Sequence, residues 1–371
     1  MYSESDLAGA VEAGAISREA AEALRNHVAE SRAAPAVDEE HFKLLTGFND
    51  IFVAIATVLM LVAVGRIGAY FADLLYGGDN EAHQIGVGVT VAGFAVAATS
   101  WLLGEYFTRR RRMALPSILL LLAFVGGIAA GVAGLFTANW GWLTEQLHIP
   151  DTDLGHRQYG AGAAAIVAIT TAVGAWVHWK RFMVPITVAA ATAAVIGLAV
   201  ALVLALVPDA IHWINPILLG AGVLVFAFAM RWDVSDLERR TRRSDVAFWL
   251  HLAAAPLIAH PIFQMLGVLS GDISGATAGI VIALYIGFAL VALAVDRRAL
   301  LVSSLVYVLA AMYTLFRTTG NVELSASLTA LVIGSALLTL SAFWHPMRRA
   351  VVGLLGGIGE SLPPTQQPAL A

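Results

Sequence analysis

Ten apolar runs dominate this sequence, each close to the about 20 helical residues that cross a hydrocarbon core of about 30 Å. They lie near 48–68, 86–107, 115–137, 159–179, 183–206, 211–230, 246–268, 274–295, 299–316 and 324–343. Inside lipid no water satisfies backbone N–H and C=O groups, so a spanning segment must be a helix or a strand of a closed barrel, and runs this long are helices. Composition agrees: 59% of the 371 residues are hydrophobic and 13% are charged, where soluble domains carry about 45–50% and about 25%. The expected fold is all-α, a polytopic transmembrane helix bundle of about ten spans with N- and C-termini cytoplasmic.

The orientation follows from the excess of Lys and Arg in cytoplasmic loops of membrane proteins. One side of the ten-span arrangement receives Arg18, Arg25, Arg32, Lys43, Arg109 to Arg112, Lys180, Arg181, Arg231, Arg239, Arg240, Arg242, Arg243, Arg297, Arg298, Arg348 and Arg349, or 19 of the 22 basic residues. The other side keeps Arg66, Arg157 and Arg317, beside acids such as Asp73, Asp79, Glu81, Glu145, Asp151, Asp153, Asp209 and Glu323.

Four regions are expected. Residues 1–35 form a cytoplasmic helical hairpin, with helix over Leu7 to Ala13, a break at Gly14 and a second helix capped by Ser17 and running to about Ser31. Residues 36–47 form a juxtamembrane linker, residues 48–343 the ten-span domain, and residues 344–371 a cytoplasmic tail whose Pro- and Gln-rich end, from Ser361, is expected to be disordered. The first forty residues lack the basic start and apolar core of a secretory signal, so the first span is expected to act as the targeting signal. The absence of cysteine excludes disulfides, thiolate metal sites and Fe–S clusters. A net charge of −4 and the lack of a basic, aromatic-interleaved stripe speak against nucleic acid. The bilayer is the implied partner, and neither a cofactor nor a metal ion is expected.

The seventh span carries the most suggestive chemistry. Pro256 and Pro261 deprive the carbonyls of Leu252 and Leu257 of their helical donors, and a broken helix at that depth is expected where protein or water re-satisfies them. His260 lies near mid-membrane and Gln264 one turn later on the same face, so these two are the first candidates for a substrate or proton pathway. His251, nine residues earlier, is about 180° round an ideal helix and nearer the cytoplasm. The ninth span adds Ser303, Tyr307, Thr314 and Arg317 as a polar stripe, while Ser335 and Thr339 repeat the pattern in the tenth. Against this stands a plainer role: neutral histidines and hydroxyls in membrane helices commonly bond neighbouring helices or their own backbone. The outer-loop group His148, Asp151, Asp153 and His156 matches no metal motif. Small residues at four-residue spacing, Gly127 with Gly131, Ala130 with Gly134 and Gly275 with Gly279, are expected to pack helices within the bundle.

The N-terminal segment Glu12-Ala-Gly-Ala-Ile-Ser17-Arg-Glu-Ala-Ala21, the run Leu44-Leu-Thr-Gly-Phe-Asn-Asp-Ile-Phe52 and the run from Asp245 to Phe263 resemble uncharacterised bacterial membrane-protein families that carry a helical hairpin before many spans. The resemblance implies a bacterial inner-membrane setting and brings no activity, substrate or functional residue. A permease or carrier for a small solute or proton is the expected function. The alternative is a non-transporting subunit or scaffold whose N-terminal hairpin docks a cytoplasmic protein partner. No nucleophile elbow, P-loop or zinc-protease helix occurs, so an enzyme is not expected.

Overall fold

A computed structural model of the chain describes residues 4–24, 48–76, 80–207, 209–237, 239, 241–268, 275–318 and 325–365. Every regular element among them is helical. The chain divides into two compact units, Met1–Phe42 and Lys43–Ala371.

In the first unit, α1 spans Glu4–Glu12 and α2 is described over 18–24. Gly14 turns the chain between them at φ +69°, a left-handed conformation that costs glycine little. The Ser17 hydroxyl accepts from the Ala20 N–H at 3.1 Å, the N-cap expected there. The remainder of the second hairpin helix and the linker to residue 47 lie outside the described residues.

The second unit begins with α3 (Phe48–Tyr76), α4 (Glu81–Phe107) and α5 (Ala114–Ala138), followed by the short α6 (Trp140–Gln146). Then come α7 (Asp153–Phe182), α8 (Ile186–Leu206), α9 (Ile214–Val234) and α10 (Arg242–Met265). The last four are α11 (Gly275–Val295), α12 (Ala299–Thr318), α13 (Ser325–Ala342) and α14 (Trp344–Leu354). Among the described residues, eight helices are long and apolar enough to cross a membrane, or nine if α13 and α14, bent by 75°, count as one span. The architecture is that of a multi-pass membrane protein.

Large apolar side chains point outward along these helices, as lipid rather than water would favour: Phe52 is 69% exposed, Leu102 70% and Leu224 72%. Inside, the helices close on small residues. A Cβ on Gly93 would lie 2.5 Å from the Gly131 backbone, and one on Gly134 would lie 2.6 Å from the Thr90 backbone, so α4 and α5 meet backbone to backbone. Without a hydrophobic driving force between helices in lipid, such contact is a main source of cohesion. Around Gly279, by contrast, nothing lies within 4 Å of an added Cβ, so that glycine does not serve the helix packing expected of it.

The helix α10 is the most enclosed, with 50% of its apolar stretch buried against 11% to 28% in the other seven candidate spans. It packs on α8, α9 and α12. The expected break at its prolines is absent: α10 is continuous with Pro256 and Pro261 inside it. Gly222 of α9 packs directly on the Leu257 backbone, so the segment that loses a helical hydrogen bond at Pro261 is braced by a neighbouring helix.

Candidate functional site

The turn between α9 and α10 is short and tied to itself. Asp236 Oδ2 accepts from the Thr241 N–H at 2.9 Å and from the Thr241 hydroxyl at 2.7 Å, while Thr241 Oγ1 accepts from the Arg243 N–H to cap α10. This turn sets the last turn of α9 against the third turn of α10. Asp233 therefore faces His251, whose Nε2–H donates to Asp233 Oδ2 at 2.7 Å. From the link between α11 and α12, Arg297 donates through Nε to the same carboxylate at 3.3 Å and through Nη2 to its second oxygen. Arg297 also reaches the carbonyl and hydroxyl of Ser244 at 3.2 and 3.3 Å. Asp233, His251 and Arg297 are all buried, at 1%, 0% and 2% exposure.

A second carboxylate, Asp296, directly precedes Arg297 in the chain. Asp296, held at φ +60°, accepts from Arg239 Nη1 at 3.0 Å and from the Trp344 indole N–H at 2.7 Å, and pairs with Arg348 Nε at 3.5 Å. Arg239 also donates to the carbonyls of Val295 and Asp296, and Arg298 lies 4.8 Å above the Trp344 ring. Two carboxylates, three guanidiniums and one imidazole thus join α9, α10, the α11–α12 link and α14 at a single end of the bundle. Burying such charges is tolerated only when they are paired and hydrogen-bonded, and breaking one pair leaves the other member stranded.

The His251 ring also meets the edge of Phe226 at 5.1 Å, and its Nδ1 has no hydrogen-bond partner among the described residues. With Nε2–H engaged by Asp233, the neutral ring leaves one bare acceptor in an apolar wall. A doubly protonated ring would leave an unsatisfied donor there instead.

His260 lies on the opposite face of α10, as nine residues of helix require. It is exposed on the perimeter of the bundle, and its Nδ1 is hydrogen-bonded to the Tyr307 hydroxyl of α12 at 2.7 Å. The Tyr307 ring stacks on Phe263 at 4.6 Å, which ties the pair to the core of Phe263, Val281, Val308 and Ala311. Gln264 is exposed on the same side as His260. The structure brings His260 and Tyr307 together and separates both from His251. Ser303, Thr314 and Arg317 belong to α12, but their side chains lie outside the described residues. In α13 the Thr339 hydroxyl donates to the Ser335 carbonyl at 2.8 Å, the local backbone bond that such residues commonly make.

Several other polar groups have local partners. His178 is buried among Trp101, Phe124 and Phe182, with Nδ1 3.3 Å from the Thr187 hydroxyl. Glu105 accepts from Arg181 at 2.6 and 2.9 Å as well as from Arg109 at 3.3 Å. Around the start of α7, His156 meets Asp151 at 3.2 Å while His148 meets the Gln146 carbonyl. Among the described residues no three His, Asp or Glu side chains are grouped to hold a metal ion. A cleft of about 820 Å³ between α5, α7 and α8 is lined chiefly by alanine and glycine; the Tyr159 and Thr137 hydroxyls at its wall are engaged with backbone carbonyls.

The sequence places His251 and His260 about 180° apart on one helix, as found, but does not show the partners of His251. One signal was present: Asp233 and Asp296 are acids at helix ends on the Arg-rich side, where an apolar setting forces a carboxylate to find a cation. No family model matches the chain, and comparison with curated proteins and with solved structures returns no match.

Proposed function

We propose that the chain is a carrier of the bacterial inner membrane that moves a small solute or proton. In this reading it crosses ten times with both termini in the cytoplasm. Ten helices, α3 to α5 and α7 to α13, cover the ten apolar runs, and the Arg-rich links lie at one end of that arrangement.

The observation that carries the reading is the placement of two polar assemblies on one helix. Asp233, His251 and Arg297 tie the cytoplasmic ends of α9 and α10 to the α11–α12 link. About 13 Å further along α10, on its other face, His260 bonds Tyr307. Ionisable groups inside a membrane are costly and are usually retained for a pathway or a relay. The His260–Tyr307 pair supplies a site that can hold and release a proton. The ionic assembly supplies a closure whose separation would open the cytoplasmic side, because every link in it joins different elements.

The test is accumulation of a panel of amino acids, sugars and organic acids in vesicles reconstituted with the protein, under an imposed pH gradient. Accumulation of at least one solute above protein-free vesicles is expected. Equal uptake across the panel, with no added proton flux, contradicts the reading.

A further inference from the structure

The helix α14 follows α13 after the single residue Phe343, yet the two are bent by 75°. Its faces are sharply divided. Trp344 and Arg348, each 2% exposed, turn inward, where the Trp344 indole donates to Asp296 and Arg348 donates to the carbonyl of Pro364 at 3.0 Å. Those bonds fix the rotation of α14 about its own axis. A second face is apolar and uncovered: Phe343 is 56% exposed, Met347 39% and Leu354 88%, with Ala350 exposed between them. These four recur at i, i+4, i+7 and i+11 and form one stripe. His345 and Arg349, both exposed, lie about 150° round the helix from that stripe.

We propose that α14 is an interfacial helix, lying in the plane of the membrane with Phe343, Met347, Ala350 and Leu354 sunk into the acyl boundary of the adjoining leaflet. The occupant of the apolar face is the lipid surface itself. Three observations select it. The stripe starts at the end of a membrane-type helix and so continues that helix's lipid-facing surface. The 75° turn carries α14 away from the direction of α13. The charges sit opposite the apolar stripe, where headgroups and water would receive them, which is the division expected of an interfacial amphipathic helix. A re-entrant or spanning course would instead drag His345 and Arg349 into hydrocarbon at a cost of several kcal/mol. The assignment also gives Asp296 a role: it clamps an interface helix to the buried ionic assembly. It rests on the multi-pass architecture and not on transport, so a failed uptake assay leaves it standing.

The chain contains no cysteine, which makes single-cysteine labelling free of background. Met347→Cys, Leu354→Cys, His345→Cys and Arg349→Cys, each carrying a nitroxide, are compared in vesicles of phosphatidylethanolamine and phosphatidylglycerol by collision with oxygen and with a neutral nickel chelate. Labels at 347 and 354 are expected to favour oxygen several-fold over nickel and to report depths equal within about 3 Å, while labels at 345 and 349 favour nickel. Three results overturn the proposal: nickel access at all four positions, which places α14 in water; shielding of 347 and 354 from both reagents, which places a protein surface there; or depths at 347 and 354 that differ by the about 10 Å of seven helical residues, which stands the helix upright.

Discussion

Gly222 stands so close to Leu257 that a Cβ added to the glycine would lie 2.9 Å from the Leu257 carbonyl oxygen, the acceptor that Pro261 leaves without its helical N–H. A sequence that breaks the α10 ladder is thus matched by one that lets α9 come against the break.

From this contact, Gly222→Leu is expected to destabilise the protein by about 1–3 kcal/mol, the usual cost of forcing extra methylenes into a filled site. Gly220 of the same helix has nothing within 4 Å of an added Cβ, so Gly220→Leu should leave stability nearly unchanged. Thermal unfolding of both variants in detergent checks the pair. Equal melting temperatures would mean that α9 and α10 do not meet there.

Removing either member of the buried Asp233–Arg297 pair should cost about 3–5 kcal/mol, because the survivor stays buried and charged without its counter-ion. In Asp233→Ala combined with Arg297→Ala, the loss should fall well short of the sum of the single losses, since the residues share one set of bonds. A double-mutant cycle on thermal or denaturant unfolding measures the coupling. Additive losses would show that the two do not interact.

Trp344→Phe keeps the ring that packs beneath Arg298 but deletes the indole donor to Asp296. Loss of a donor to a buried carboxylate should cost about 1.5–3 kcal/mol. The variant should unfold earlier than wild type, whereas Trp140→Phe, at a more exposed position, should not.

The ten-span arrangement is checked by sidedness. Cysteines at Glu12, Arg111 and Arg349 should react with an impermeant maleimide only after cells are permeabilised, and one at Asp151 should react in intact cells. Labels at 12 and 349 on opposite sides would require an odd number of spans.

The series of membrane-type helices was legible because such a helix is written in one dimension: about twenty apolar residues need no partner to be recognised. The opposition of His251 and His260 was legible too, since helical pitch alone places them back to back. Partners across helices were not. Asp233, Arg297, Asp296 and Trp344 are separated by up to 111 positions along the chain, and nothing local to any of them says which helix ends meet. The effect of Pro261 was misjudged for the same reason. Pro261 removes one hydrogen bond of α10, but the residue that packs on that segment, Gly222, belongs to another element. At the start of the tail, Leu362 and Pro363 are buried and Arg348 donates to the carbonyls of Pro363 and Pro364, contacts that no local pattern announces. Residues 366–371 lie outside the described residues.

The most direct measurement of the carrier reading is proton-coupled uptake by His260→Gln in reconstituted vesicles, beside wild type. Glutamine retains hydrogen-bonding capacity toward Tyr307 but cannot take up and release a proton in the physiological range. If the His260–Tyr307 pair relays the proton, wild type accumulates solute in proportion to the imposed pH gradient and His260→Gln loses that dependence while remaining folded. Undiminished, gradient-dependent uptake by His260→Gln would contradict the account and leave the histidine a structural bond between α10 and α12.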